Sequence, residues 1–264
     1  MHPILFRIGA LTVPTYAIVV LAAMMVGYVL LPRSARRNGM AVSVAIPMYF
    51  VVVISGVVGA RLLHVLLLLP DIVRDPRLAA TILISGGVWY GGVIAGIASG
   101  WWWYVRRRGG SFFVGLDTFA VPVLVGGALG RIACFLSGCC FGSPTGLPWG
   151  VRYDDPVAHR LHADLPYVTV HPVQLYEMAG ALGVAAYLDW LAGRPHRRGT
   201  IGLLWMVLYG AVRMVVEGFR GDAVRGSLFA ALSTSQIIAL VTAGSALVWL
   251  AMRREAPVVA ASEG

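Results

Sequence analysis

Apolar runs of about twenty residues recur along this chain, each closed by a short arginine-bearing link, and a run of that length lets a helix cross a hydrocarbon core. They cover roughly residues 14–32, 44–69, 82–105, 112–134, 172–192, 200–218 and 236–251. The pattern predicts an all-α polytopic membrane protein with about seven transmembrane helices. Composition agrees: 58% of residues are hydrophobic, 12% are charged and mean hydropathy is +0.78, which excludes an ordinary soluble domain. In a soluble chain the net charge of +9 would point to nucleic acid. Here the basic residues must first be sorted by side of the membrane, and no nucleic-acid partner is expected.

That sorting fixes an orientation. Arg33, Arg36 and Arg37, then Arg106 to Arg108, then Arg194, Arg197 and Arg198, and finally Arg253 and Arg254 crowd short links that alternate with longer, arginine-poor ones. By the positive-inside bias these links are cytoplasmic, which sets the N-terminus outside and the C-terminus inside. Residues 1–254 read as a single transmembrane domain and 255–264 as a cytoplasmic tail. The longest polar segment, about 141–170, is rich in turn formers and reads as an outer loop or cap. The N-terminus lacks a basic region followed by a small-residue cleavage site, so no removed signal peptide is expected.

Within the fourth run, GGALGRIACFLSGCCFG at 126–142 sets Arg131 among apolar residues and glycines. A charge at that depth costs about 2.5–3.5 kcal/mol even on lenient insertion scales, which makes it a functional candidate by default. Arg61, Arg213, His171, Tyr90 and Glu217 fall near the same end of their own runs. Such a shared depth suggests one outward-facing cavity. Arg213 and Glu217, four apart, share a helical face with Arg220 just beyond. Arginines outnumber acids in these segments, and buried surplus positive charge asks for an anion. In HPVQLYE at 171–177, Glu177 is expected to answer the dipole at its helix start, Gln174 lies within the first turns, and His171 reads equally as a structural hydrogen-bonding group or as a site residue. The cysteines Cys134, Cys139 and Cys140 lack the spacing of a disulfide framework or of a structural zinc site. They are expected only to pack the turn after the fourth run, with no metal and no cofactor.

Together these segments resemble the bacterial prolipoprotein diacylglyceryl transferase family over almost the whole chain. The resemblance is carried by Tyr16 in the first run, GARL at 59–62, GGVWYGG at 86–92, GRIACFLSGCCFG at 130–142, HPVQLYE at 171–177 and the R-x-x-x-E-x-x-R-G-D run ending at Asp222. It implies a catalytic membrane domain, in the bacterial cytoplasmic (inner) membrane with its site toward the outer leaflet. The implied reaction moves the diacylglyceryl group of phosphatidylglycerol onto the lipobox cysteine thiol of a preprolipoprotein and releases glycerol 1-phosphate. It also implies that Arg131 and Arg213 are the key arginines, and that Tyr16, Gly142, Glu217 and Arg220 belong to the site. Arg61, Gly130 and Gln174 join the candidate substrate contacts. Tyr90 stands where many members carry histidine, and Cys134 where some carry asparagine.

The chemistry fits the residues independently. A thiolate must attack the glycerol carbon that carries phosphate, and the departing phosphate gains charge that fixed guanidiniums stabilise. His171 and Tyr90 are the candidates to take the thiol proton. A transporter or flippase for a phosphorylated or lipid solute would also want arginines in a cavity, but it would favour an internal repeat or helices broken at the midplane. Neither is evident in the sequence.

Overall fold

The computed structural model describes residues 2–9, 11–75, 77, 87–162, 164–221, 227–229, 232–252 and 258–259. The chain is mostly helical. Strands β1 (Ile4–Ile8) and β2 (Leu11–Pro14) form an antiparallel hairpin that leads into α1 (Thr15–Arg37). There follow α2 (Val42–Leu67), the short α3 (Leu69–Arg74), α4 (Trp89–Gly100), α5 (Phe112–Ser137), the short α6 (Pro156–Leu161), α7 (Val173–Ala192), α8 (Thr200–Glu217) and α9 (Thr234–Met252).

Among the described residues 5 helices are long and apolar enough to cross a membrane: α1, α2, α5, α8 and α9. Two of the expected spans look different. The run at 82–105 starts outside the described residues; its described part is α4, extended by a π-helical turn over Trp101–Arg106. The run at 172–192 forms α7, which is long enough but less apolar because Gln174, Glu177 and Asp189 interrupt it. Both acids are met by arginines of neighbouring helices, so hydropathy taken helix by helix understates how well α7 suits a membrane. The first run also continues further than expected. Helix α1 passes through Pro32 and on to Arg37, with Ser34 and Ala35 buried, where apolarity alone would have stopped it near Leu31. Arg253, Arg254, Asp222 and, apart from residues 258–259, the tail at 255–264 lie outside the described residues.

The chain divides into two compact units, Met1–Asn38 with Leu116–Gly264, and Gly39–Gly115. In the second, α2 and α4 pack through small residues. Gly56 and Gly59 of α2 meet Gly92 and Gly91 of α4, and Ser55 Oγ and Ser99 Oγ share a 2.6 Å hydrogen bond. Its last turn stacks Arg107 over Trp102 and Arg108 over Trp103, each guanidinium carbon 4.7 Å from the ring centre.

In the first unit α5, α7 and α8 share a buried core that includes Ala120, Leu124, Ala128, Ala181, Leu188 and Ile201. Many large apolar side chains remain on the outside of the helices, among them Met25, Val29, Val215, Val241 and Met252, as a lipid-facing surface requires. Residues 141–170 build a small cap with its own core of Phe141, Tyr153, Ala158, Leu165 and Val170. Asp155 begins α6, its carboxylate accepting from Val157 N at 2.7 Å.

Candidate active site

Three helices of the first unit carry polar groups to one end. Arg131 lies near the C-terminus of α5, Glu177 near the start of α7, and Tyr209, Arg213 and Glu217 on successive turns of α8. Glu177 is the hub. Its Oε1 accepts from an Arg131 terminal nitrogen and from the Tyr209 hydroxyl, both at 2.6 Å, and its Oε2 accepts from Arg213 at 2.8 Å. The other terminal nitrogen of Arg213 donates to Glu217 at 2.8 Å. Two guanidiniums thus alternate with two carboxylates. A lone ion here would carry an uncompensated desolvation cost, which this alternation removes.

The expectation for Glu177 needs correcting. Helix α7 starts at Val173, so Glu177 is in its second turn, and its side chain is 2% exposed rather than placed to answer the helix dipole. The sequence signal was the charge itself, a carboxylate inside an apolar run. Tyr209, one turn before Arg213, was missed because a tyrosine in a membrane span carries no such signal. Ion pairs among the described residues set Arg131 and Arg213 against Glu177 and Glu217, so Glu177 is an acid to be added to the one that the sequence weighed against three arginines.

The two arginines differ in how fully they are engaged. Both terminal nitrogens of Arg213 hold carboxylates, and its side chain is 11% exposed. Arg131 is 23% exposed, and among the described residues it bonds Glu177 alone, through one terminal nitrogen. A guanidinium has five N–H donors, so Arg131 retains a face that can grip an oxyanion. Among the described residues a Cβ at neighbouring Gly127 or Gly130 would meet nothing within 4 Å, so that flank of α5 is open to them.

The motif residues at 142, 171 and 220 meet through their backbones. Gly142 N donates to His171 O at 3.0 Å, Ser143 N to Phe219 O at 2.8 Å, and Gly142 pairs with Arg220 in an antiparallel bridge. Three distant segments are thereby clamped. A Cβ on Gly142 would stand 2.6 Å from both the Cβ and carbonyl oxygen of His171 and 2.7 Å from the Phe219 oxygen, so only glycine fits. His171 Nδ1 lies 3.3 Å from the Tyr176 hydroxyl, and its ring packs edge-on against Phe219.

Gln174 faces the cap side. It is 1% exposed and donates to the Cys139 carbonyl at 2.7 Å and to the Tyr153 hydroxyl at 3.1 Å. Burial pushes the Tyr153 phenol up to about 12, so it stays protonated at neutral pH. Tyr16, the second residue of α1, is 46% exposed. Arg61 in α2 and Tyr90 in α4 belong to the second unit.

Helix α5 ends in a turn of unusual shape. Gly138 is left-handed (φ 82°), and Gly138 N and Cys139 N both return to the Cys134 carbonyl, at 3.0 and 3.1 Å. Cys140 is left-handed as well (φ 59°), at a cost of about 1–2 kcal/mol for a residue with a side chain.

A family model for prolipoprotein diacylglyceryl transferase matches residues 3–252. The chain belongs to that family. It is 31% identical to the phosphatidylglycerol–prolipoprotein diacylglyceryl transferase of Clostridium tetani, over 92% of this chain and 94% of that protein. Its identity to the enzyme of the same name from Gloeobacter violaceus is 29%, over 96% and 94% of the two chains. For the Thermotoga maritima enzyme it is 32%, over 90% and 81%. As a member of this transferase family with five helices, among the described residues, long and apolar enough to cross a membrane, the chain is a multi-pass membrane enzyme.

Proposed function

We propose that this protein transfers the diacylglyceryl group of phosphatidylglycerol to the thiol of a lipobox cysteine in a preprolipoprotein, forming a thioether and releasing glycerol 1-phosphate. The observation that carries the reading is Arg131, partly exposed beside open space, with most of its donors uncommitted and its position fixed by Glu177. Such a group suits a phosphodiester. As the thiolate attacks the glycerol carbon and the C–O bond breaks, charge accumulates on the departing phosphate, and a preorganised guanidinium stabilises it more than it stabilises the ground state.

In this reading Arg213 contributes field and position, because Glu177 and Glu217 hold it at both terminal nitrogens. Tyr16, Gly130, Gly142, Gln174 and Arg220 frame the lipid and peptide, with His171 at the clamp. Arg61 and Tyr90 enter on the strength of their motifs. Residues 1–254 would act as one catalytic domain of seven spans in the cytoplasmic membrane, with the Arg131 end and the 141–170 cap toward the outer leaflet. Arginine-rich links at the opposite helix ends support that orientation.

The test is to incubate purified protein with phosphatidylglycerol vesicles and a lipobox peptide. The peptide should gain the mass of one diacylglyceryl group, and its serine counterpart should gain nothing. An unmodified cysteine peptide after prolonged incubation refutes the reading.

A further inference from the structure

The three cysteines converge. Their Sγ atoms lie within 4.8 Å of one another, no disulfide joins them, and all three are half-buried rather than sealed. The backbone brings this about: the left-handed residues Gly138 and Cys140 turn the chain back on the last turn of α5, and Gln174 fastens the Cys139 carbonyl to α7. Packing alone needs no such convergence, since thiols fill volume equally well when they point apart.

Bonds of about 2.3 Å from a tetrahedral divalent ion place its sulfur ligands about 3.8 Å apart, which small side-chain rotations reach from the observed spacing. Three thiolates select a thiophilic ion over magnesium or calcium. Three protein ligands also leave a fourth position open, as in catalytic rather than structural zinc sites. Three thiolates around a dication carry one surplus negative charge, which Arg131, one turn before Cys134 on the same helical face, screens in part while it also pairs with Glu177.

We propose that Cys134, Cys139 and Cys140 bind one thiophilic divalent cation of the zinc class, and that its open position takes the incoming lipobox thiol. The second half rests on the reading of the chain as a diacylglyceryl transferase. A thiol bound to such an ion gives up its proton, here to water. Its sulfur then forms the S–C bond while the glycerol C–O bond breaks, and the glycerol phosphate leaves with the electron pair. The neutral thioether is a weaker ligand than the thiolate and is released. This route supplies a deprotonation that Glu177 is poorly placed to supply, since its two oxygens already accept from Arg131, Tyr209 and Arg213.

The experiment titrates Co2+ alone into the reduced, full-length protein in detergent. A thiolate-to-cobalt charge-transfer absorption should saturate at one ion per chain, be displaced by Zn2+, and vanish in Cys134→Ser and Cys139→Ser variants whose helical circular dichroism is intact. A cysteine lipobox peptide should then change that absorption and its serine counterpart should not, a comparison that needs only the unaltered chain. No saturable absorption overturns the metal site. Absorption indifferent to the cysteine peptide overturns the thiol role. Transfer is measured in parallel: a chelator that abolishes the cobalt signature should reduce transfer at least tenfold, with recovery on adding Zn2+, and unchanged transfer overturns the role of the ion. Metal-replete protein that takes cobalt but transfers nothing refutes the transferase reading and leaves the metal site standing.

Discussion

Helices α5, α7 and α8 carry a buried polar network at each end, joined by α1 at the Arg37 end, and the two networks differ in what they leave uncommitted. At the Arg37 end, Asp117 is fully buried and its two oxygens cap the start of α8, accepting from Gly199 N at 2.5 Å and Gly202 N at 2.8 Å. Asn38 Nδ2 donates to Ser34 O at 2.8 Å and Asp117 O at 3.3 Å, Ser34 Oγ donates to Thr118 O, and Arg37 holds both the backbone and the carboxylate of Asp189 at 2.7 Å. Thr118 Oγ1 is the one buried side-chain oxygen there without a partner among the described residues. This network closes on itself and fixes helix ends. At the Arg131 end the same helices leave a guanidinium partly exposed beside open space. Burial of charge is common to both ends. Uncommitted donors next to room for a ligand are what distinguish a site from a brace.

The contrast is broken most severely by Arg213→Ala. Removing one partner of a buried ion pair costs about 3–5 kcal/mol, and transfer should fall at least about a hundredfold in protein that still inserts, with lysine restoring little. Near-normal turnover in lipid transfer to a lipobox peptide would show that Arg213 only braces the cluster and adds nothing to transfer. Asp117→Ala should destabilise by about 2–4 kcal/mol, because two buried N–H groups lose their acceptor. Its transfer rate per folded molecule should stay within about a factor of two of the parent, as read by thermal inactivation beside initial rates. Loss of turnover in the folded fraction would erase the distinction between the ends. Tyr209→Phe sharpens it further: Glu177 loses one of three donors, worth about 1.5–3 kcal/mol, and transfer should drop about tenfold with insertion unchanged. The smallest effect is expected of Arg33→Ala. Its 3.0 Å pair with Asp189 has an arginine 58% exposed, so thermal inactivation should move by less than about 1 kcal/mol.

Much of this was legible in the residues. Apolar runs and their arginine punctuation located α1, α2, α5, α8 and α9, because a membrane span must satisfy its backbone within itself and so announces its length locally. Arg131 and Arg213 stood out because a charge in an apolar run is costly wherever the helix goes. Boundaries were less legible: α1 runs on past Pro32 because Ser34 and Asn38 find partners on α5, which local hydropathy does not register.

The sequence by itself determined that the chain is helical and membrane-embedded, and which charged residues needed an explanation. Only the tertiary structure decided which partners explain them. Glu177 became the hub of the arginines rather than a helix-start acid, Asp117 became the cap of a helix more than eighty residues away in sequence, and the three cysteines were gathered into one cluster. The physical reason is the same in each case. Burial cost is a property of a single residue and its neighbours in sequence, whereas the compensating hydrogen bond or ion pair comes from another segment and exists only once the helices are packed.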